Sequence, residues 1–456
     1  MKTTPTPNRR QACAALLGAT ALGAESLTSV AVAGAASAGR VPFRHVAWAT
    51  RSTIYEVNIR QFTPEGTLKA FEAHLPRLAK LGVHILWLMP LQPIGQLKRK
   101  GSLGSYYAIC DYTAVNPEFG TLEDLQRVVQ RAHALGLKVI LDWVANHTAW
   151  DHPWVTQHPD WYQQDAKGEI GPFSHVWTPG QPAEVWEDVV GLDYGQRGLW
   201  DAMTDAMLYW QRKVGFDGFR CDVAGLVPVP FWNHVRAALD RVKPVFMLAE
   251  SDRPELQAQA FDMGYDWALY DRFKAIAQGK ADAVSLRDWW AQRQAKYPPD
   301  AWGMNFVGNH DTNSWDGTDL EFYGTEAACK AMTVLSFTLP GMPMILGGQE
   351  GRLDKRLAFF EKDPIAWKGY PLAAHYLALT NLKRRHPALA NGAADGKASG
   401  TLSFLPLDTE AVAAFERRRG PHGLRVAVNL SAQAQTVHPA GVGITLAPWA
   451  WRIDAG

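Results

Sequence analysis

Gly215-Phe-Asp-Gly-Phe-Arg220-Cys-Asp222 is a short, largely apolar run that ends in an arginine and an aspartate. The run is long enough for one buried strand, and its charged pair comes at the carboxyl end of that strand. Arg220 and Asp222 are two positions apart, so their side chains leave the same face of a strand. The segment therefore predicts a strand that presents a charged pair at its end.

Three other segments repeat this pattern. They are Asp142-Trp-Val-Ala-Asn146-His147, Met247-Leu-Ala-Glu250 and Phe306-Val-Gly-Asn309-His310-Asp311. Barrels of alternating strands and helices hold their chemistry at the carboxyl ends of the strands, so these polar groups are expected to meet at one face. Together the four segments predict a barrel with three carboxylates at its mouth.

Strand-like and helix-like stretches alternate from about residue 53 to about residue 386. This alternation predicts an α/β fold, a closed (β/α)8 TIM barrel. The eight expected strands are residues 54–57, 83–89, 138–143, 218–222, 245–249, 264–268, 305–308 and 343–347. The expected helices include residues 121–135, 199–214, 230–242, 286–295, 325–337 and 370–385.

The rest of the chain divides around this barrel, which is expected to take residues 39–147 and 197–390. Residues 148–196 are far more than the roughly two to six residues usual for such a connection. They are expected to form a small inserted subdomain after strand 3, over the barrel mouth. From residue 391 to residue 456, short alternating runs predict a C-terminal antiparallel β-sandwich domain.

Residues 1–38 are expected to be an export signal. Arg9-Arg10 precedes an apolar, uncharged stretch from Ala12 to Ala24, and Ala36-Ser-Ala38 offers a cleavage site. The paired arginines resemble a twin-arginine signal, which places the protein in the periplasm or among secreted proteins. The apolar stretch is too short to span a membrane.

Composition narrows the classes of partner. The net charge is +1, charged residues make up 20% of the chain and hydrophobic residues 47%, which argues against a nucleic-acid binder and against a disordered protein. The 19 tryptophans offer flat aromatic faces of the kind that suit sugar rings. A neutral partner and a monomeric chain are expected.

The polar residues suit the cleavage of a glycosidic bond with retention of configuration. That reaction needs an ionised carboxylate that attacks the anomeric carbon and a protonated carboxyl that donates to the leaving oxygen. Asp222 suits the first task because the arginine two residues before it can hold it charged. Glu250 follows an apolar run, where burial raises a carboxyl pKa. Asp311 can oppose the positive charge of the transition state, and His147 and His310 can donate hydrogen bonds to sugar hydroxyls.

The four segments, in this order and at these separations, closely resemble the conserved regions of the α-amylase family of retaining glycosidases, glycoside hydrolase family 13. The resemblance extends from about residue 53 to the C-terminus. It implies that Asp222 is the nucleophile, Glu250 the acid/base and Asp311 the stabiliser of the transition state. It also implies a set of residues around the sugar at the cleaved bond: Asp142, His147, Arg220, Asn309 and His310.

Another segment, Gly104-Ser-Tyr-Tyr107-Ala-Ile-Cys-Asp111-Tyr, resembles the family's loop whose tyrosine stacks under that sugar. Tyr107 is the matching position, and its neighbour Tyr106 is the rival.

The resemblance also bears on cofactors. The chemistry needs none, but many family members hold a structural Ca²⁺ between barrel and insert, and Asn146 matches its first ligand. Calcium takes about six to eight oxygens, and the insert's candidate donors are Asp151, Asp160, Asp165, Asp188 and Asp193. Endo-acting amylases often carry Lys-His shortly after the nucleophile, where this chain has Val223-Ala-Gly-Leu226.

The resemblance thus implies a glycoside hydrolase of the α-amylase or α-glucosidase type that cleaves α-1,4-glucosidic bonds in starch-derived oligosaccharides. One alternative is a transglycosylase of the same family, in which a sugar hydroxyl replaces water. A second, of another class, is a non-catalytic carbohydrate-binding or partner protein on the same fold. The expected partner is an α-glucan, with no nucleic acid and no membrane span.

Overall fold

A closed barrel of eight parallel strands lies at the centre of the computed structural model, which describes residues 43–392 and 400–456. The barrel strands are β1 (Ile54–Val57), β2 (Ile85–Leu88), β3 (Lys138–Val144), β8 (Gly218–Asp222), β9 (Phe246–Ala249), β10 (Met263–Tyr265), β11 (Trp302–Asn305) and β12 (Met342–Leu346). Neighbours pair in chain order, and β1 pairs with β12 to close the barrel. The predicted fold class is confirmed.

Successive side chains of each strand point alternately into the barrel and toward the surrounding helices, which gives two separate apolar layers. One buried apolar cluster, which includes Ile85, Trp87, Ile140 and Leu248, comes mainly from side chains that point into the barrel. A larger cluster fills the space between strands and helices. The interior is therefore packed mainly with apolar side chains.

The sixth predicted strand is shorter than expected. It covers Met263–Tyr265 rather than residues 264–268. The Asp266 side chain accepts a hydrogen bond from Leu269 N and so caps a helix that begins at the next residue.

The seventh predicted strand is displaced toward the N-terminus. It covers Trp302–Asn305 rather than residues 305–308. Its ladder with β12 ends where Asn305 faces Pro343, which has no N–H to continue the pairing. Phe306-Val-Gly was wrongly assigned to the strand, and it belongs instead to the loop that leads into the polar segment.

Twelve α-helical segments lie among residues 43–392. They are α1 (Ile59–Phe62), α2 (Leu68–Glu72), α3 (Leu75–Leu81), α4 (Leu122–Ala134), α5 (Trp154–Gln157), α6 (Arg197–Lys213), α7 (Val229–Val242), α8 (Trp267–Ala277), α9 (Val284–Lys296), α10 (Asp319–Tyr323), α11 (Glu326–Thr338) and α12 (Ala373–Arg385). The six predicted helices fall within about three residues of α4, α6, α7, α9, α11 and α12. Thr121 and Asp124 form the capping box that starts α4.

The long connection after β3 forms an inserted subdomain. Its strands are β4 (His147–Ala149), β5 (Phe173–His175), β6 (Glu184–Trp186) and β7 (Val189–Gly191). Because β4 pairs antiparallel with β7, the insert returns to the barrel beside the point where it left. Phe173, Trp186 and Val223 share one buried cluster, so the insert packs directly on the loop after β8.

The C-terminal domain is an antiparallel sheet, as the fold class predicted. Its strands are β13 (Thr401–Phe404), β14 (Val412–Arg419), β15 (His422–Asn429), β16 (Gln435–Val437), β17 (Ile444–Leu446) and β18 (Trp451–Ala455). Four of them form a sheet in the order β13-β14-β15-β18, and β16 pairs with β17 in a separate ribbon. The buried Arg417 donates to Thr338 O at 2.7 Å, which ties the sheet to the end of α11.

The predicted export signal, residues 1–38, lies outside the described residues. Within the described part of the chain, no helix is long and apolar enough to cross a membrane. Cys110, Cys221 and Cys329 are free thiols.

Candidate active site

The four polar segments converge at one end of the barrel. The register between β3 and β8 places Asp142 beside Arg220 and Val144 beside Asp222. The next strand, β9, ends at Ala249 and delivers Glu250 to the same end. The sequence prediction that these groups meet is therefore confirmed for the carboxylates of β3, β8 and β9.

Arg220 lies at the centre of this group and is fully buried. Its Nη1 is 2.8 Å from Asp142 Oδ1 and 3.1 Å from Asp222 Oδ1, and its Nε donates to the Tyr265 hydroxyl at 3.1 Å. Its Nη2 is 2.9 Å from Glu250 Oε2, an ion-pair distance without the alignment of a hydrogen bond. One planar guanidinium thus serves three carboxyl groups, an arrangement that the ammonium of a lysine could not reproduce.

Glu250 is held in a position that favours its protonated form. Its Oε2 accepts a hydrogen bond from Val223 N at 2.8 Å. Burial raises the pKa of Glu250 to about 8, and the charges of Asp222 and Asp311 add to this rise, whereas Arg220 and the hydrogen bond from Val223 N oppose it. The upward direction holds despite the nearby guanidinium, because burial is the largest of these effects.

The residue after Asp222 has strained backbone geometry. Val223 has φ 35° and ψ 44°, in the left-handed region that β-branched residues rarely adopt. Such a conformation costs on the order of 1 to 3 kcal/mol and clusters at functional sites. Here it aims the Val223 N–H at Glu250.

Asp142 orients its neighbours. It is fully buried, and its Oδ2 accepts hydrogen bonds from Trp87 Nε1 and the Tyr107 hydroxyl, each at 3.1 Å. Burial raises its pKa to about 6, although Arg220 acts in the opposite direction. These contacts fit a residue that positions Tyr107 and Arg220.

Tyr107, rather than Tyr106, belongs to the site. The Tyr107 hydroxyl lies 2.8 Å from His310 Nε2, and its ring lies nearly parallel to those of His310 and Phe359. Tyr106 instead packs under the Arg60 guanidinium, with 4.2 Å from the guanidinium carbon to the ring centroid. The structure thus places Tyr107 beside Asp142 and His310, and its stacking under a sugar stays a prediction.

His310 and Asp311 complete the group from the loop after β11. His310 Nε2 is 3.4 Å from Asp311 Oδ2, and His310 Nδ1 contacts Glu56 Oε1. Asp311 Oδ1 is buried and has no hydrogen-bond partner among the described residues. That oxygen is available to a bound molecule.

His147 contacts aromatic residues of the insert, and Asn309 contacts its own loop. His147 begins β4, and its ring lies 6.0 Å from Phe173 and 5.4 Å from Trp186, centroid to centroid. The Asn309 side chain accepts from Thr312 N at 2.9 Å, so it stabilises the turn that carries His310. His147 therefore faces the insert, and Asn309 supports the loop.

The predicted calcium ligands do not gather around Asn146. Its Nδ2 is 3.1 Å from His147 Nδ1, and Asp188 pairs with Lys100 at 2.9 Å. Asp165 and Asp193 accept hydrogen bonds from backbone amides of their own turns. Across residues 43–392 and 400–456 no three His, Cys, Asp or Glu side chains converge as a metal group would require. The donor set does not fit a calcium cage of about six to eight oxygens.

Several residues of the site were not predicted from the sequence. They are Glu56, Trp87, Tyr265 and Phe359, which contact Asp142, Arg220, Tyr107 or His310. Glu56 carried the clearest signal, because a charged residue in the middle of a buried strand needs a partner.

The α-amylase catalytic-domain model matches residues 45–368. The crystal structure of an α-amylase from Lactobacillus plantarum superposes with a TM-score of 0.79 at 30% identity, over 90% of this chain and 99% of that one.

Two relatives have different activities in their names. The α-amylase MalA of Haloarcula japonica is 29% identical over 95% of this chain and 63% of its own length. The α-1,4-glucan:maltose-1-phosphate maltosyltransferase of Rhodospirillum rubrum is 28% identical over 81% of this chain and 55% of its own length. The chain thus spans between about half and two thirds of these curated relatives.

Proposed function

This chain belongs to the α-amylase family, and on that premise we propose that it is a retaining glycoside hydrolase that cleaves α-1,4-glucosidic bonds in starch-derived oligosaccharides. Asp222 acts as the nucleophile, Glu250 as the acid/base and Asp311 as the stabiliser of the transition state. The enzyme works by double displacement.

One observation supports this assignment above the others. Asp222 and Glu250 contact different nitrogens of Arg220, and Glu250 in addition accepts the Val223 N–H and has a pKa that burial raises to about 8. Two neighbouring carboxyl groups with different surroundings are what an acid and a nucleophile require.

In the first step, Glu250 donates its proton to the glycosidic oxygen while an oxygen of Asp222 attacks the anomeric carbon. The bond to the leaving sugar breaks, and that sugar departs with a free hydroxyl. The residual sugar remains as an ester of Asp222. Because Glu250 Oε2 accepts the Val223 N–H, Oε1 is the oxygen that carries the proton.

In the second step, the Glu250 carboxylate takes a proton from water, and the water oxygen attacks the anomeric carbon. The ester bond to Asp222 breaks, and Glu250 recovers its proton. In the transition state of each step the sugar carries partial positive charge, which the Oδ1 of Asp311 can stabilise.

The second candidate function is transfer to a sugar hydroxyl. The maltosyltransferase names among the relatives favour it. So does the apolar wall beside the nucleophile, where Val223 and Leu226 pack with Trp177 and Trp186, since such a wall suits a sugar ring on the leaving-group side. The assembled carboxylates argue against a non-catalytic partner protein.

The test is the product profile on maltoheptaose, starch and pullulan, with the anomeric configuration followed by NMR. We expect α-configured products and a rise in reducing ends. Products longer than the substrate, without a rise in reducing ends, would favour the transferase. β-Configured products would contradict the retaining mechanism.

Export is a separate part of the proposal and rests on the sequence of residues 1–38. Sequencing the N-terminus of the protein from its native cells tests it. A mature chain that begins near residue 39 is expected, and a chain that begins at Met1 would contradict export.

A further inference from the structure

Glu56 lies inside the barrel, where charged residues are rare. It is in the middle of β1 and is 1% exposed. Its neighbour Tyr55 points the opposite way and bonds to Glu350 at 2.6 Å, so Glu56 faces the barrel axis. A carboxylate buried in this way requires a partner that compensates for its lost hydration.

The partner of Glu56 is His310. Glu56 Oε1 is 2.5 Å from His310 Nδ1. An ionised carboxylate can only accept hydrogen bonds, so Nδ1 must carry a hydrogen.

The other ring nitrogen of His310 is also placed to donate. Nε2 is 2.8 Å from the Tyr107 hydroxyl and 3.4 Å from Asp311 Oδ2. The single hydroxyl hydrogen of Tyr107 is directed to Asp142 Oδ2 at 3.1 Å, so the Tyr107 oxygen accepts from Nε2. A ring that donates from both nitrogens is an imidazolium.

The charges around the ring favour the same state. Burial lowers the pKa of His310, but the charges of Asp311 and Glu56 and the hydrogen bond to Glu56 outweigh burial and raise it to about 9. Arg220 opposes this rise. Asp142 faces the ring through Tyr107.

We propose that Glu56 is a positioning residue that keeps His310 doubly protonated, so that a fixed positive donor lies between Tyr107 and Asp311 at the sugar. The proposal concerns the protonation of His310, and its activity readout rests on the proposed glycosidase function. In this proposal Glu56 acts on the sugar through His310 and is not itself a ligand of the sugar.

The first test is the direct titration of His310 by NMR in protein with ¹⁵N-labelled histidine. His310→Gln assigns the signal by its loss. We expect His310 to be protonated at about pH 8 in the unmodified protein, and its pKa to fall by about 1 or more in Glu56→Gln, since an opposite charge this close shifts a pKa by roughly 1 to 3. A neutral His310 at about pH 7, or an equal pKa in Glu56→Gln, would overturn the proposal.

The second test is the pH profile of hydrolysis. Because acid protonates His310 without help from Glu56, the kcat of Glu56→Gln should fall near pH 8 by about twofold if the pKa of His310 drops by about 1, and by about tenfold if it drops by about 2, and much less near pH 5.5. A loss of equal size at both pH values would indicate a merely structural role. In His310→Gln, the additional Glu56→Gln change should cost little more, because Glu56 acts through His310.

The matched control is Glu350→Gln. Glu350 is also a buried carboxylate, and it accepts a hydrogen bond from Tyr55, the residue next to Glu56, but it lies outside the site. Glu350→Gln should leave the His310 titration and the shape of the pH profile unchanged. The titration needs no substrate, so it stands even if the proposed glycosidase activity fails. If Glu56→Gln retains normal glycosidase activity and the pKa of its His310 is unchanged, the proposal about Glu56 is contradicted while the proposed function stands.

Discussion

Glu250 lies 2.9 Å from Arg220 and still has a pKa raised to about 8. Burial and the charges of Asp222 and Asp311 outweigh the guanidinium. Glu250 can therefore hold its proton near neutral pH, and in the proposed mechanism its pKa should limit activity on the alkaline side.

The first prediction is that alkaline limit. A raised pKa means that the proton needed for the first step is present below about pH 8 and is lost as the pH rises through that value. The kcat/KM on maltoheptaose should therefore fall with an apparent pKa near 8, and Glu250→Gln should lose most activity at every pH. Full activity at a pH well above 9 would be inconsistent with this assignment.

The second prediction concerns Arg220. Arg220→Ala leaves three buried carboxyl groups without their shared cation, and breaking such a buried pair typically costs about 3 to 5 kcal/mol. Urea unfolding should show this loss of stability, and an activity assay should show a loss of hydrolysis. Arg220→Lys keeps the charge but not the planar donors, so it should unfold less readily than Arg220→Ala and remain nearly inactive. An active Arg220→Lys enzyme would show that the fork geometry is unimportant.

The third prediction separates the two neighbouring tyrosines. Tyr107→Phe removes the hydroxyl that links His310 to Asp142, and hydrogen bonds to charged groups contribute about 1.5 to 3 kcal/mol. The kcat/KM should fall roughly 10- to 100-fold. Tyr106→Phe is the control and should fall less than about threefold, because Tyr106 packs against the Arg60 guanidinium instead of linking His310 to Asp142. Equal effects of the two changes would remove the case for Tyr107.

The fourth prediction concerns Asp217, which belongs to the opening motif but not to the site. Its carboxylate is buried and accepts from His133 and from Val139 N. Burial alone would raise the pKa of Asp217, but these hydrogen bonds and Lys243 lower it to about 2.

Asp217→Asn should therefore destabilise the protein by about 2.5 kcal/mol at pH 7, because the pKa is lowered by nearly 2 and each unit corresponds to about 1.4 kcal/mol. A lowered pKa stabilises the fold above the unfolded value near 4, and this contribution is lost as the pH falls toward 2. Urea unfolding at about pH 7 and pH 3 should show that the free energies of unfolding of the unmodified protein and Asp217→Asn differ less at the lower pH. An equal difference at both pH values would show that the charge of Asp217 does not stabilise the fold.

The sequence was most informative where a strand ends in polar residues. Asp142, Arg220, Asp222 and Glu250 each follow an apolar run, and strand pairing brings all of them together. Glu56 was missed because it stands alone inside a strand, and only the closed barrel shows that it meets His310 from the far end of the chain. A contact of this kind, between a strand and a distant loop, depends on packing that local patterns do not encode.

The same limit explains the misplaced β11. Phe306 and Val307 are as apolar as a strand requires, and both are buried. The position of β11 is instead decided by its partners, Met263–Tyr265 on one side and Pro343 on the other. Neither partner is visible from the local sequence.

The central claim is that Asp222 forms a covalent bond to the sugar. The most direct measurement is mass spectrometry of Glu250→Gln after reaction with α-maltosyl fluoride, because fluoride departs without an acid whereas the second step needs the base. We expect a maltosyl unit on the peptide that contains Asp222, and no adduct in Asp222→Asn. Fluoride release without an adduct, or an adduct on another carboxylate, would contradict the mechanism.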